Sequence, residues 1–320
     1  MTLVEPVSDA DLRAHDCLEA VDKVPGDPDT TAFKRRARLH QALWRESRGL
    51  EIGSQPMRPE PSKASKPLGS RIDLKVARET GANFLSETVH KAVRHRLENP
   101  QAHQMLDEDR LYCDLLSSMP MCFNLFAVLR ADPVAADRAV HTWWPDVPGR
   151  VSAVLFEWSP GRRLLGHYLE NRSAFDVAFK LELEGGRCGL LGVETKYHEH
   201  CRREKAPSAR RKRRYTEVSI ASRLFSPESI DAIMGTDLQQ IWLDHLLALS
   251  MTQEPSPKWV WTGFALVHPR RNPSYARAVE RYRALLTNPA SVRVSTIESL
   301  LDAHVLPEAA SSAFADRYLW

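Results

Sequence analysis

The 320-residue chain has no Cys-x-x-Cys pair, no internal repeat, no low-complexity tract and no apolar run of membrane-spanning length. A bilayer span takes about 20 consecutive apolar residues, so a membrane partner is not expected. Five cysteines (Cys17, Cys113, Cys122, Cys188 and Cys201) are an odd number, which argues against a disulfide framework and for a reducing compartment. The first residues lack the basic-then-apolar order of a secretory signal, so a cytoplasmic protein is the expectation. Net charge is scarce as well: 44 Lys and Arg against 41 Asp and Glu leave +3. Only a local cluster, not the whole chain, can argue for nucleic acid as a partner. His198, His200, Cys201 and Cys188 match no structural zinc spacing, and strand alternation would split them. What is present is a 43% hydrophobic share, enough for a substantial core.

Residues 1–30 are acidic and carry Pro25, Gly26 and Pro28, which reads as a flexible leader. A helical N-terminal extension follows over 31–104. It starts with a helix at 31–48 whose polar face is basic (Lys34, Arg35, Arg36, Arg38, Arg45). A Pro-rich connector at 51–70 holds Pro56, Pro59, Pro61 and Pro67, and a further helix is expected at 84–98. Residues 105–320 read as an α/β domain. Its first helix, 105–130, is mostly apolar and should bend near Pro120. From 151 the pattern switches to strands at 151–158, 175–183 and 189–198, with Gly185-Gly186 as a hairpin turn. Helices are expected at 216–224 and 227–251, the second with Ser226 as N-cap and Pro227 at its first position. A strand at 259–268, a helix from Pro273 to about 286, a short strand at 292–294 and a capping box from Ser295 to Glu298 complete the order. The tryptophans Trp143, Trp144 and Trp158 read most simply as core. The fold class is therefore α/β: a central mixed sheet, built from a three-strand meander plus a further strand, flanked by helices.

Two acids and a lysine stand out on the meander. Asp176 lies in AFDVAF, and Glu194 and Lys196 lie 18 and 20 positions later in VETKY. Paired strands would bring the two carboxylates within a few ångströms, and Lys196 alternates onto the face of Glu194. Carboxylates forced together repel unless a cation sits between them, and hard oxygen ligands favour Mg²⁺, with Mn²⁺ as a substitute. Such an ion beside a lysine suits phosphodiester hydrolysis. An Asp, a Glu and a Lys on neighbouring strands also occur as a surface ion-pair cluster. Here both acids sit within apolar runs, where burial of unpaired carboxylates is costly, and that favours a functional site.

The Asp176, Glu194-Thr195-Lys196 arrangement, with its helix–meander–helix–strand order, resembles the PD-(D/E)XK nuclease superfamily and its restriction-endonuclease-like core. More narrowly, residues 115–126 (LLSSMPMCFNLF), 175–179 and 192–199 (GVETKYHE) resemble a bacterial group of restriction endonucleases. Phe175 stands where the superfamily motif has proline before the aspartate. The resemblance implies that Asp176 and Glu194 hold metal, with the Thr195 carbonyl as a third ligand, and that Lys196 orients water or stabilises charge on phosphate. It implies one more acid, for which Glu157 on a strand is a better-fixed candidate than Glu170 on a loop. It also implies a glutamate from the preceding helix. Residues 111–126 have none, which leaves Glu87 as the alternative source. Gln240 is a candidate for substrate contact. Ser118 and Asn124, polar in an apolar helix, need hydrogen-bond partners and could support the site from beneath.

A basic loop at 202–214 follows the site. Arg202, Arg203, Lys205, Arg210, Arg211, Lys212, Arg213 and Arg214 make eight cations against one acid, a phosphate-tracking segment with the basic helix face 31–48 as its extension. The expectation is a metal-dependent DNA endonuclease of the restriction or defence type, cutting duplex as a homodimer. Two other readings compete with it: a catalytically inactive DNA-binding module of the same fold, and a regulatory partner of other proteins in a defence system.

Overall fold

Five strands form one mixed sheet in sequence order: β3 (Arg150–Trp158), β4 (Phe175–Glu182), β5 (Cys188–Thr195), β6 (Trp259–His268) and β7 (Val292–Thr296). The first three pair antiparallel, and the last two join in parallel. A separate antiparallel ribbon pairs β1 (Ile52–Gln55) with β2 (Lys66–Ile72). The computed structural model describes residues 4–320 except 59, 61, 63, 103, 105, 162–164 and 255–257. Residues 1–3 of the expected leader, Pro59 and Pro61 of the connector and Met105 of the long helix lie outside the described residues.

The helices, in chain order, are α1 (Asp9–Ala14), α2 (Pro28–Ser47), α3 (Leu74–Thr80), α4 (Glu87–Glu98), α5 (Glu108–Cys113), α6 (Ser118–Phe126), α7 (Pro133–Trp143), α8 (Ala209–Ser222), α9 (Pro227–Ile233), α10 (Gln239–Met251), α11 (Pro273–Ala284), α12 (Ile297–Asp302) and α13 (Glu308–Tyr318). None is long and apolar enough to cross a membrane among the described residues.

Strand alternation sorts the sheet into two cores. Val177, Phe179, Leu181, Leu191, Val193, Ala265 and Val267 face one core, shared with α4, α6, α7, α12 and α13. Ala178, Leu190, Phe264 and Leu266 face the other, shared with α8–α11, and Phe175 at the start of β4 joins them although alternation would place it with Val177. With helices on both sides, all of β5 after Cys188 is buried, so it reads as a nearly continuous apolar run. The β4–β5 turn needs Gly185 and Gly186, both at φ +71°, a region that favours glycine. Gly192 allows the Phe175 ring to lie against the strand, because a Cβ there would come within 2.4 Å of it. Trp144 is buried and Trp158 packs edge-on to Trp259, both in core surroundings.

Several expectations needed correction. Residues 4–30 do not form a loose leader: Val7, Leu12 and Cys17 pack on Leu39 and Ala42 of α2. Asp22 is buried and is held by Arg38, whose Nη2 donates to it at 2.9 Å. The basic face of α2 is largely interior, with Lys34, Arg38 and Arg45 buried. It therefore adds little to a phosphate-tracking surface. The connector is not simply extended, because it contains the β1–β2 ribbon. Pro120 bends no helix. It lies in the first turn of α6, where its missing N–H is harmless, and α5 is separate. Ser226 caps α9 as expected, but the helix ends before Gly235, whose φ is +72°. The last capping box is Thr296 with Ser299, one residue later than expected. Helix α8 begins at Ala209, so Arg210–Arg214 stand on its first turns and not in a loop.

Candidate active site

Strand register assembles a row of acids. Val177 faces Val193 and Ala178 faces Gly192, which carries Asp176 opposite Glu194 at the end of the β4–β5 pair. Phe156 faces Val177 and Trp158 faces Phe175, which brackets Glu157 opposite Asp176 on the other side. Residues opposed across antiparallel strands share a face. Asp176 shares its face with Ala178, and Glu194 shares its face with Leu190, so both acids point toward the α8–α11 side. Glu157 adopts φ +48°, a left-handed conformation that costs an L-residue roughly 1–2 kcal/mol and is common at functional sites.

Glu157, Asp176, Glu194 and Lys196 line one cavity of about 360 Å³ together with Ser118, Glu199, Gln240 and Tyr275. The backbone N–H and the hydroxyl of Thr195 both donate to Asp176 Oδ2, at 2.8 and 2.7 Å. Lys196 Nζ donates to Glu194 Oε1 at 2.7 Å and stands 6.0 Å from the Tyr275 ring centre. Lys196 lies one residue past the end of β5, but its N–H still bonds Val267 at 2.8 Å, which fixes its backbone. Beyond it, Glu199 accepts from the Ser118 hydroxyl and from the Tyr197 N–H, each at 2.8 Å.

Charge in the site is unbalanced. Burial raises the Glu194 pKa well above the usual carboxylate range, and the Asp176 charge raises it further. Asp176 is also raised by burial, although Lys196 and the Thr195 bonds oppose the rise. Burial works against the Lys196 ammonium, yet the adjacent Glu194 holds its pKa well above normal. Asp244, one turn after Gln240 on α10, is buried, and its Oδ2 has no hydrogen-bond partner among the described residues. Burial pushes its pKa up to about 7, opposed by Lys196 and assisted by Asp176.

This carboxyl yields a stability prediction. Its folded pKa is raised, so between about pH 4 and about 7 the folded chain holds a proton that the unfolded chain has released. Wild-type stability therefore falls as pH rises through that window. Asp244→Asn removes this loss. Denaturant melts should show the variant gaining on wild type toward neutral pH, whereas a constant difference across the window would contradict the assignment.

The donor set fits a hard divalent cation. Mg²⁺ is commonly held by one or two carboxylates, with water and substrate oxygens completing its shell. Asp176 and Glu194, whose mutual repulsion a cation would relieve, are such a pair. Among the described residues no three His, Cys, Asp or Glu side chains are placed to hold a metal ion together, so the fit rests on this pair.

Of the two candidate extra acids, Glu157 reaches the cavity. Glu170 is instead ion-paired with Arg210 and does not line it. Glu87 is exposed on α4 and paired with Arg94, so it cannot supply a helix glutamate. Asn124 is a structural link: its side chain accepts from the Leu85 N–H and donates to Asn83 O and the Tyr318 hydroxyl. Arg202 lines the cavity. Arg203 bonds the Gly235 carbonyl, Arg211 bonds the Glu170 carbonyl, and Arg214 bonds the His167 carbonyl at 3.0 Å. Lys205, Arg210, Arg211, Lys212 and Arg213 are exposed. Unbroken strand alternation would put Glu199 on the face opposite Glu194, but it lines the same cavity because the alternation ends at Thr195. Sequence reasoning missed Asp244 and Tyr275. An acid inside the apolar run Ile241, Trp242, Leu243, His245, Leu246 was the available signal for the first. Tyr275 left none.

Among known proteins, a family model described as the PD-(D/E)XK nuclease superfamily matches residues 27–320. No curated protein and no solved structure matches.

Proposed function

The chain belongs to the PD-(D/E)XK nuclease superfamily, and from that premise we propose that it is a Mg²⁺-dependent DNA endonuclease of the restriction or defence type, acting in the cytoplasm. The observation that carries this reading is the row of acids opening with Lys196 into one cavity. Asp176, Glu194 and the Thr195 carbonyl would hold the ion, with Glu157 as a further acid and Mn²⁺ as a substitute. A bound divalent cation lowers the pKa of a coordinated water and neutralises phosphoryl oxygens. Lys196 adds a fixed positive charge where the phosphate becomes more anionic. Its pairing with Glu194 keeps the ammonium in place before substrate arrives. Thr195 locks one oxygen of Asp176 and thereby sets the rotamer of that carboxylate. Two such sites, supplied by a homodimer, would cut both strands of a duplex.

The basic stretch supports DNA as substrate. The first turn of α8 carries no acid, and the Ser208 side chain makes no capping bond there among the described residues. Cations crowded at a helix N-terminus oppose the helix dipole, and phosphate relieves both. Replacing Arg211, Lys212 and Arg213 by glutamine should weaken DNA binding without changing the metal requirement. On duplex DNA the slope of log affinity against log salt should fall by about 0.9 for each phosphate that the variant no longer neutralises. An unchanged slope would remove this segment from the interface.

Supercoiled plasmid incubated with purified protein tests the activity. Nicking or linearisation with Mg²⁺ or Mn²⁺, and none with EDTA, is the expected result. Salt-dependent DNA binding with no cleavage under either ion would favour an inactive DNA-binding module.

A further inference from the structure

A second cavity of about 370 Å³ adjoins the first, and Arg110, Glu199 and Arg202 wall both. It is lined by five cations: Lys34, Arg38, Arg71, Arg110 and Arg202. Three carboxylates face them, and each already has a partner. Glu19 pairs with Lys66, Asp114 accepts from the Leu116 N–H, and Glu199 accepts from Ser118 and Tyr197. Arg38 is engaged through all three nitrogens, by Asp22 and Ser70, and Lys34 donates to the Val21 carbonyl. Three guanidiniums keep donors in reserve. Arg71 uses Nη1 on the Ser54 carbonyl, while its Nε is buried without a partner among the described residues. Among the described residues Arg110 comes no nearer to an acid than 3.7 Å, at Glu199. Arg202 has no hydrogen bond or ion pair among the described residues.

The cavity thus has surplus positive charge and unused planar donors, the arrangement that takes a doubly charged phosphate oxygen set. Its wall includes the buried groups Arg38, Ser70, Ser117 and His198. A terminal phosphomonoester carries close to two negative charges where an internal diester carries one, so surplus cations with unused donors favour a chain end over a continuing strand. We propose that this cavity is a subsite for a phosphomonoester, the terminal phosphate of a nucleic acid strand whose neighbouring diester lies over Asp176 and Glu194. The strand as occupant rests on the nuclease reading; the affinity for a phosphomonoester does not.

The experiment is a binding titration with short single-stranded oligonucleotides, identical except for a 5′ phosphate, a 3′ phosphate or neither, in EDTA so that nothing is cut. A terminal phosphate at one end should tighten binding by roughly tenfold or more, the scale of hydrogen bonds to a charged group. Gln55→Glu puts a carboxylate on the cavity wall at a half-buried position without changing shape. It should erase the phosphate-dependent gain while leaving the phosphate-free oligonucleotide within about twofold of wild type. Arg71→Gln is the second variant and should act in the same direction, so the result does not hang on one substitution. Equal binding of all three oligonucleotides by wild type would overturn the subsite. A mononucleotide binding as tightly as the phosphorylated strand would overturn the strand end as its occupant. Because the titration needs no cleavage, it can succeed in a protein that never cuts, and closed circular plasmid, which has no end, tests the nuclease reading separately.

Discussion

Glu194→Ala should lower metal-dependent DNA cleavage by at least about 10³-fold, the scale on which preorganised charge at a reacting phosphate acts. The substitution removes one of the two carboxylates at the β4–β5 strand end and strips Lys196 of its 2.7 Å partner. Glu194→Gln keeps the side-chain volume and should lose as much activity, since a neutral amide is a poor ligand for Mg²⁺ in place of a carboxylate. DNA binding should survive both changes or strengthen, because removing a negative charge lessens repulsion of phosphate. Loss of binding in step with loss of cleavage would indicate collapse of the site and not the removal of a ligand. Thermal melts separate the cases: Glu194→Gln relieves a buried like-charge contact and should hold the fold, as sites often trade stability for activity.

Asp22→Asn should destabilise the chain by about 3–5 kcal/mol, the range for breaking a buried ion pair by removing one partner. Asp22 is 1% exposed, with the Arg38 guanidinium on both oxygens, Lys34 Nζ at 4.0 Å and His198 Nε2 at 2.9 Å. Burial alone would raise its pKa, but Arg38 and then His198 hold it well below the usual carboxylate range. The folded pKa is depressed, so the stabilisation is full above about pH 4, the unfolded value, and is lost as pH falls through the folded one. Wild type should therefore lose stability on acidification below about pH 4 more steeply than the variant. Equal melting of the two proteins at neutral pH would contradict this network. The effect reaches function as well, because His198 follows Lys196 by two residues and α2 also donates from Gln41 to Tyr197.

That network also marks how far the sequence can be read. The meander, the acids on it and the parallel strand after it are legible, because each follows from short-range periodicity and turn residues. The opposition of Asp176 and Glu194 follows from pairing two strands across Gly185-Gly186. The tie between Asp22 and His198 spans most of the chain and has no local signature, so an acidic, proline-bearing stretch reads as a leader. Buried Lys34, Arg38 and Arg45 look like a solvated face because periodicity reports charge, not the partner that meets it. Helix α7 falls outside the expected elements although Asp132 caps it and Pro133 occupies its first position, a signal that was available. Glu199, which lines the cavity, and Asp244, whose carboxyl feels the charges of Lys196 and Asp176, come from elements whose placement depends on the β5–β6 crossover and on where β5 ends, which composition does not encode.

The most direct test of the central claim is the location of a bound cation. A crystal soaked in Mn²⁺ should give an anomalous peak about 2.1 Å from oxygens of both Asp176 and Glu194, with Lys196 moved off the Glu194 oxygen that the metal takes. A peak at neither carboxylate, with Lys196 still hydrogen-bonded to Glu194, would contradict the account.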